Sequence, residues 1–473
     1  MLNDKRNAKP KQDVNQSEGQ HGSLFAEELP VWYERSGKVC RKWASRCEEE
    51  REQTMNLLEE VVSLKNLTEA YRQVKQNGGS SGVDGQSIGE FGEWLKNHHK
   101  ELIANILEGR YRPQLVKGIE IPKPNGGVRQ LGIPTVCDRV VQQALSQVLT
   151  RQFDVTFTQS SHGFRPKRGT QSALKEAKSH VKSGKTRVVE IDLAKFFDEV
   201  NHSRLMWLLS LRIGDRRVLD LIRKMLRSGI LIGGTVSQRI KGTPQGSPLS
   251  PLLSNIVLDE LDQELERRGV SYVRYADDLL IFTGSTKSAT RVYSGVVKYI
   301  TERMRLVVNA DKSGIRRLHE VTFLGHSLGA GGKLYLSKSS ETRLKSKLKR
   351  LTSRKRGISL EQLIKEVNAT TRGWLQYFKG SAMKSKMVRI NSWLKRRIRC
   401  FRLKQCKRKI SIVRFLRRLG VSEKQSWLVA LSGKGWWRLS NSPGTNIGMS
   451  NDWFGPIGYY DLLTNYEKLH KST

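Results

Sequence analysis

Residues 271–284 read Ser-Tyr-Val-Arg-Tyr-Ala-Asp-Asp-Leu-Leu-Ile-Phe-Thr-Gly, an apolar, β-prone run interrupted by two adjacent carboxylates. Val273 and Tyr275 before the break and Leu279 to Phe282 after it have strand character, so Ala276-Asp277-Asp278 is expected to turn a hairpin. Neighbouring carboxylates repel and lose solvation there, a cost that falls when cations sit between them. Oxygen donors presented this way suit Mg²⁺, which keeps water and substrate phosphates in its shell. Taken alone the pair is most simply a solvated turn; the rest of the chain decides.

Charge narrows the partners. Among 473 residues, 84 Lys and Arg face 45 Asp and Glu, a net +39 with a pI near 10.2, and such a field selects a polyanion. No run of about 18 apolar residues is present and no secretory segment follows Met1, so the chain is expected neither to span a membrane nor to be secreted. Cys40, Cys47, Cys137, Cys400 and Cys406 form no C-x-x-C pair, which argues against zinc and for reduced thiols in a cytosolic protein. Nucleic acid is the expected partner.

Along the chain, residues 1–22 are too polar to fold alone and read as a flexible tail. Met55, Leu58, Val62, Leu67, Tyr71 and Val74 share one helical face, ended by Asn77-Gly78-Gly79. Residues 116–121 and 128–133 flank Pro122-Lys123-Pro124-Asn125-Gly126-Gly127 as a hairpin. Helices are expected over 138–149, 172–181, 203–213, 217–226 and 288–305, with a further helix carrying Leu253 to Leu265. A strand over 187–193 delivers Asp192 at its end, and 321–324 is strand-like. Residues 242–251, with three prolines and two glycines, can join neither a helix nor a sheet. Residues 338–418 hold 27 Lys and Arg against 3 Asp and Glu, placing +24 of the charge in 81 residues that still keep helical apolar spacing. That stretch is a folded basic bundle. The residues after 420, with Trp427, Trp436, Trp437 and Trp453, read as a small separate module.

One carboxylate at a strand end (Asp192) and two on a hairpin turn (Asp277, Asp278) meet the needs of two-metal phosphoryl transfer, in which paired ions activate the attacking hydroxyl and steady the leaving group. Tyr275-Ala276-Asp277-Asp278 resembles the signature box of reverse transcriptases. Further blocks sharpen the resemblance to group II intron-encoded reverse transcriptase/maturases: Ile-Pro-Lys-Pro-Asn-Gly-Gly-Val-Arg-Gln-Leu-Gly-Ile-Pro at 121–134, His-Gly-Phe-Arg-Pro-Lys-Arg-Gly at 162–169, Asp-Leu-Ala-Lys-Phe-Phe-Asp at 192–198, Thr-Pro-Gln-Gly-Ser-Pro-Leu-Ser-Pro at 243–251 and Phe-Leu-Gly-His at 323–326. The resemblance covers roughly residues 52–455.

The resemblance implies an α+β right-hand polymerase: a flexible tail and leader at 1–51, fingers and palm at 52–335, a helical thumb or maturase domain at 336–420 and a small extension at 421–473. Asp192, Asp277 and Asp278 would bind two Mg²⁺ ions, with peptide carbonyls from Ile191 and Leu193. Lys123 and Arg129 would clamp the incoming dNTP triphosphate; Phe197 would stack under its deoxyribose and exclude a 2′-hydroxyl, Phe196 being core. Gln245 would line the nucleotide pocket and Lys312 would protonate pyrophosphate. Phe323, Leu324, Gly325 and His326 would form the primer grip. Residues 371–378, Thr-Arg-Gly-Trp-Leu-Gln-Tyr-Phe, match the family's thumb, where Trp374 and Tyr377 read as core before they read as base-stacking residues. Lys395, Arg396, Arg397, Lys407, Arg408 and Lys409 would contact RNA through counterion release.

The implied partners are a group II intron RNA, an RNA template with its DNA primer, dNTPs and target DNA, in a bacterial cytoplasm. No cysteine follows Cys406, which points to the family's lineage without a zinc-bound nuclease, and Gly435-Trp436-Trp437-Arg438 is a candidate DNA-binding element. The implied activity is RNA-directed DNA synthesis coupled to assisted splicing and retrohoming. A domesticated or CRISPR-associated reverse transcriptase remains open, as does an RNA-binding splicing cofactor without polymerase activity.

Overall fold

The computed structural model describes residues 56–122, 126 and 128–471. The tail at 1–51 and Lys123 lie outside the described residues. Among the described residues the first helices are α1 (Leu57–Val62), α2 (Leu64–Asn77) and α3 (Ile88–Leu107). The single helical face expected from Met55 onward is broken at Ser63, whose hydroxyl accepts from the Asn66 amide and starts α2 afresh. Side-chain capping overrode an apolar period that runs through both helices. Strands β1 (Val116–Pro122) and β2 (Val128–Ile133) pair antiparallel as expected, and α4 (Val136–Phe153) and α5 (Thr170–Lys182) follow.

After β3 (Arg187–Ile191) come α6 (Phe196–Glu199), α7 (His202–Ser210) and α8 (Arg216–Arg227). A hairpin that the sequence reading did not anticipate, β4 (Ile230–Ile232) and β5 (Thr235–Ser237), joins β1 in parallel and extends the fingers sheet to the order β2-β1-β4-β5. Its turn is Gly233-Gly234 with φ of 54° and 87°, left-handed at both positions as tight hairpins require. Pro244 and Pro248 precede α9 (Ser250–Arg267), but the irregular stretch expected over 242–251 ends at Leu249: Pro251 sits in the first turn of the helix, where its missing N–H costs no bond.

The palm sheet has the order β6-β7-β3-β8, with β6 (Ser271–Tyr275), β7 (Asp278–Thr283) and β8 (Gly314–Arg317) around β3. α10 (Thr286–Lys298) covers part of it and ends in a π-helical turn, Tyr299–Arg303. The sheet packs α5 on one face, where Leu174, Val188, Leu280 and Phe282 meet, while Val189, Ile191 and Ile281 belong to the large core shared with α4, α7, α8 and α9. Because alternate residues of β3 serve opposite cores, both faces are buried and Asp192 emerges only at the strand's end.

A small sheet of β9 (Thr322–Phe323), β10 (His326–Leu328) and β11 (Leu334–Leu336) leads to the thumb helices α11 (Lys338–Leu351), α12 (Leu360–Phe378) and α13 (Lys384–Gln405). Then come α14 (Lys409–Arg418), α15 (Glu423–Leu431), α16 (Trp436–Leu439), α17 (Pro443–Gly448) and α18 (Leu462–Lys471). The extension is not a separate module throughout. Residues from Ile412 to Met449 share a core with Leu403, but Phe454, Tyr459, Leu462 and Tyr466 return to the thumb core beside Leu375, Ile390 and Leu394. Asn391 of α13 clasps that return: its oxygen accepts from the Tyr459 hydroxyl at 2.8 Å, and its amide donates to Asp461 at 2.9 Å.

Candidate active site

β3 and β7 run antiparallel with Ile191 opposite Leu279, so Asp192 follows the strand at the level of Asp278. β6 and β7 close through Tyr275 and Asp278, leaving Ala276-Asp277 as the turn. Ala276 has φ 56°, a left-handed position usually given to glycine and costing an L-residue roughly 1–2 kcal/mol. The surroundings enforce it. A Cβ on Gly163 would stand 2.3 Å from the Ala276 nitrogen, so the chain at 162–163 lies directly against the turn.

Behind the turn sits Arg274, fully buried. Its guanidinium donates to Asp262 from Nε at 2.8 and 2.9 Å and from Nη2, to Asn255 Oδ1 and the Ala276 carbonyl at 3.0 Å each, and to Ser161 Oγ at 2.7 Å. Asn255 in turn donates to the Gly163 carbonyl at 2.9 Å. A buried ion pair needs this many partners to offset the desolvation of both charges. Arg274 was quoted in the signature run without a role; a charged residue facing a core position of a strand was the available signal.

On the open side, burial pushes the Asp278 carboxyl up to about 6, aided by repulsion from Asp277, Asp192 and Glu190 and opposed by Lys312. Glu190, two residues before Asp192 and therefore on the same strand face, is a fourth acid the sequence reading missed. Burial raises its pKa, and Arg316 at 3.7 Å partly offsets this. Lys312 places Nζ 3.4 Å from Asp192 Oδ2. The loop bearing it is fastened to β3: Asn309 N–H donates to the Asp192 carbonyl at 2.8 Å, and the Asp192 amide donates to Ser313 Oγ at 2.9 Å. Ile191 and Leu193 flank Asp192 in the chain, and both side chains are buried.

Among the described residues, no three acidic, His or Cys side chains stand close enough to hold one ion as placed. The donor set nonetheless fits a hard divalent cation: Asp192, Asp277 and Asp278 gather at one end of the β3–β7 pair, and, after burial, their mutual repulsion raises the Asp278 pKa, which added positive charge would reverse.

The chain then links the acids to the fingers. Phe196 is buried, while Phe197 stays half-exposed, its ring edge-on to Phe196 at 5.7 Å. The Phe197 carbonyl accepts from the Thr243 amide at 2.6 Å, docking the proline-rich loop. Two residues on, Gln245 takes a hydrogen bond from Arg129 Nε at 2.6 Å, and its carbonyl accepts from Gly132 N–H at 2.8 Å. Arg129 and Gln245, assigned separately from sequence, are thus one unit across the fingers–palm seam.

Two assignments change. The 323–326 segment is a hairpin whose turn is Leu324-Gly325, with φ of 49° and 80°. Phe323 and His326 are buried, so of the four residues only Leu324 and Gly325 in the turn are partly exposed. His326 packs on Phe378 at 4.8 Å, and burial lowers its pKa. Tyr377 donates to the Leu324 carbonyl at 3.0 Å and Ser340 Oγ to the Gly325 carbonyl at 3.0 Å, fixing the turn to the thumb. Of the six basic residues assigned to RNA, Lys407 and Arg408 between α13 and α14 and Lys409 at the start of α14 are exposed, but Lys395, Arg396 and Arg397 are occupied. Lys395 pairs with Asp461 at 2.7 Å, Arg396 donates to the Trp437 carbonyl at 2.8 Å, and Arg397 donates to Thr352 Oγ1 at 2.5 Å and the Lys349 carbonyl at 2.9 Å. Lys395 and Arg396 thus tie α13 to the extension, and Arg397 ties it to the end of α11 within the thumb.

A strand-borne acid beside a two-acid hairpin, faced by a fingers hairpin and followed by a helical thumb, defines a template-directed nucleotidyl-transfer palm. A sequence model described as reverse transcriptase (RNA-dependent DNA polymerase) matches residues 121–328, and one described as the group II intron maturase-specific domain matches 342–420. Protein YkfC of Escherichia coli K12 is 32% identical over 313 residues, spanning 58% of this chain and 82% of its own. Group II intron-encoded protein LtrA of Lactococcus lactis subsp. cremoris is 38% identical over 249 residues, 52% of this chain and 40% of its own. Retron Mx65 reverse transcriptase of Myxococcus xanthus is 32% identical over 210 residues, 42% of this chain and 47% of its own. The chain thus spans less than half the length of those last two relatives. It belongs to the group II intron-encoded reverse transcriptase/maturase family. No helix among the described residues is long and apolar enough to cross a membrane.

Proposed function

We propose that this chain copies its intron RNA into DNA with two divalent cations, and that it binds that RNA through the thumb to assist splicing. The observation that carries the catalytic half is the register that sets Asp192 level with Asp278, beside the Ala276-Asp277 turn. Asp192, Asp277 and Asp278 would hold the ions, which supply Lewis-acid activation of the primer 3′-hydroxyl and charge neutralisation at the leaving pyrophosphate. The chain's own residues do the positioning. Arg274 and Gly163 fix the turn from behind. Arg129, exposed and forked, reaches the triphosphate once Gln245 releases it, and Gln245 then lines the nucleotide pocket. The half-exposed ring of Phe197 lies under the sugar. Lys312, already beside Asp192, delivers positive charge and a proton to departing pyrophosphate. The maturase-specific match and the charge of residues 338–418 carry the RNA-binding half, which target DNA would share.

Primer extension tests the site. Phe197→Ala is expected to admit ribonucleotides while dNTP incorporation persists; an unchanged preference for dNTPs would remove Phe197 from the sugar contact. Manganese binding, read by electron paramagnetic resonance, should weaken in Asp277→Asn, independently of turnover.

A further inference from the structure

A cavity of about 500 Å³ lies in the seam between the thumb and the extension, outside the polymerase site. Its walls come from the end of α11 and the following loop, the face of α13 and the start of α16. That volume lies within the roughly 300–1,000 Å³ usual for small-molecule sites. Lys349, Arg354, Lys355 and Lys404 line it together with Trp436 and Trp437, and no carboxylate does.

The charge of this cavity has no internal answer. Residues 338–418 contain only three acids, and two are committed elsewhere: Glu341 to Lys345 at 2.7 Å and Lys386 at 3.4 Å, and Glu366 to Arg356 at 2.8 Å. A concave site whose charged lining is entirely cationic calls for an external anion. The aromatic part is prepared as well. The Arg396 guanidinium lies 4.1 Å from the Trp437 ring centroid while donating to that residue's carbonyl, so the indole is braced, yet it keeps 39% of its surface exposed. Arg397, bonded to Thr352 and the Lys349 carbonyl, fixes the opposite wall. An apolar ligand would leave the cations unanswered, and a bare anion would leave the indole without use. A base attached to a phosphate uses both, because stacking accepts any base and the cations accept its backbone.

We propose that this cavity receives one unstacked nucleotide of a single-stranded nucleic acid, the base against Trp437 and the phosphate among Lys349, Arg354, Lys355 and Lys404. The assignment is independent of the polymerase reading: it requires neither metal nor primer.

The full chain is tested with short mixed-sequence single strands of RNA and of DNA, each carrying one 5-iodopyrimidine for photocrosslinking. Crosslinks are expected at Trp436 or Trp437. Trp437→Ala should weaken single-strand binding about tenfold, Trp437→Phe should restore most of it, and Lys355→Gln should weaken it without touching the aromatic wall. A single abasic position should cost the wild type affinity and cost Trp437→Ala nothing further. Stronger binding of the RNA arm would make the natural ligand an unpaired intron nucleotide; stronger binding of the DNA arm would make it a displaced DNA strand. Crosslinks confined to other regions, or unchanged single-strand affinity in both Trp437→Ala and Lys355→Gln, would overturn the proposal. Oligonucleotide-primed extension should stay intact in these variants, so their result stands apart from that of the catalytic site.

Discussion

The palm and the thumb both depend on charge and use it in opposite ways. In the palm a few ionised groups are buried, many-bonded and aimed at one point: Arg274 spends its whole guanidinium on Asp262, Asn255, Ser161 and the turn carbonyl. In the thumb +24 is spread over 81 residues, much of it unpaired at the surface. A buried charge specifies geometry because leaving it unpaired is costly, whereas a surface charge supplies affinity that salt can screen. Substitutions should separate the two regimes.

The largest effect is expected from Asp277→Asn with Asp278→Asn, which should lower primer extension by about 10³-fold or more while filter-bound intron RNA changes little. Parallel loss of RNA binding would erase the division between the regions.

Next, Arg274→Met strands Asp262 in the core and should cost about 3–5 kcal/mol in denaturant unfolding. Adding Asp262→Leu should recover much of that stability but not extension activity, since the turn has lost its brace. Recovery of both would reduce the network to packing.

A third effect concerns Asp259, buried near Asp262, Arg274 and Arg212, with one carboxylate oxygen lacking a hydrogen-bond partner. Burial first, then Asp262, pushes it up to about 7. The folded state therefore keeps a proton that the unfolded chain releases above about 4, and stability should fall as pH rises from about 4 to 7, by on the order of 4 kcal/mol. Asp259→Asn should flatten that slope in pH-dependent melts. A slope unchanged by the substitution would place the titration elsewhere.

The smallest effect comes from the thumb. Replacing Lys407, Arg408 and Lys409 with Gln should weaken RNA binding about tenfold at moderate salt and shallow the salt slope by roughly 2–3. The same change at Lys395, Arg396 and Arg397 should instead lower the melting temperature. If both triplets behave alike, the structural split between them is wrong.

These contrasts explain what the sequence disclosed. The hairpin turn at Ala276-Asp277, one residue shorter than expected, the 116–133 hairpin and the strand leading to Asp192 were legible because alternation and turn chemistry are local. The β4–β5 hairpin escaped because its strands are three residues each, too short to show a period. The Arg129–Gln245 contact joins positions 116 residues apart, and nothing in either neighbourhood signals the other. Clusters of Lys and Arg read alike whether they face solvent or a carbonyl. For that reason Lys395 to Arg397 looked like Lys407 to Lys409 until Asp461, Trp437 and Thr352 were found beside them.

The return of residues 454–466 to the thumb core has a mechanical consequence. A lobe joined through one linker can swivel, but this one leaves α13 at its end and comes back to the same helix at Asn391, as a handle is riveted at two points. Lobe and thumb must therefore turn as one body, and any motion of the thumb helices carries the lobe with it.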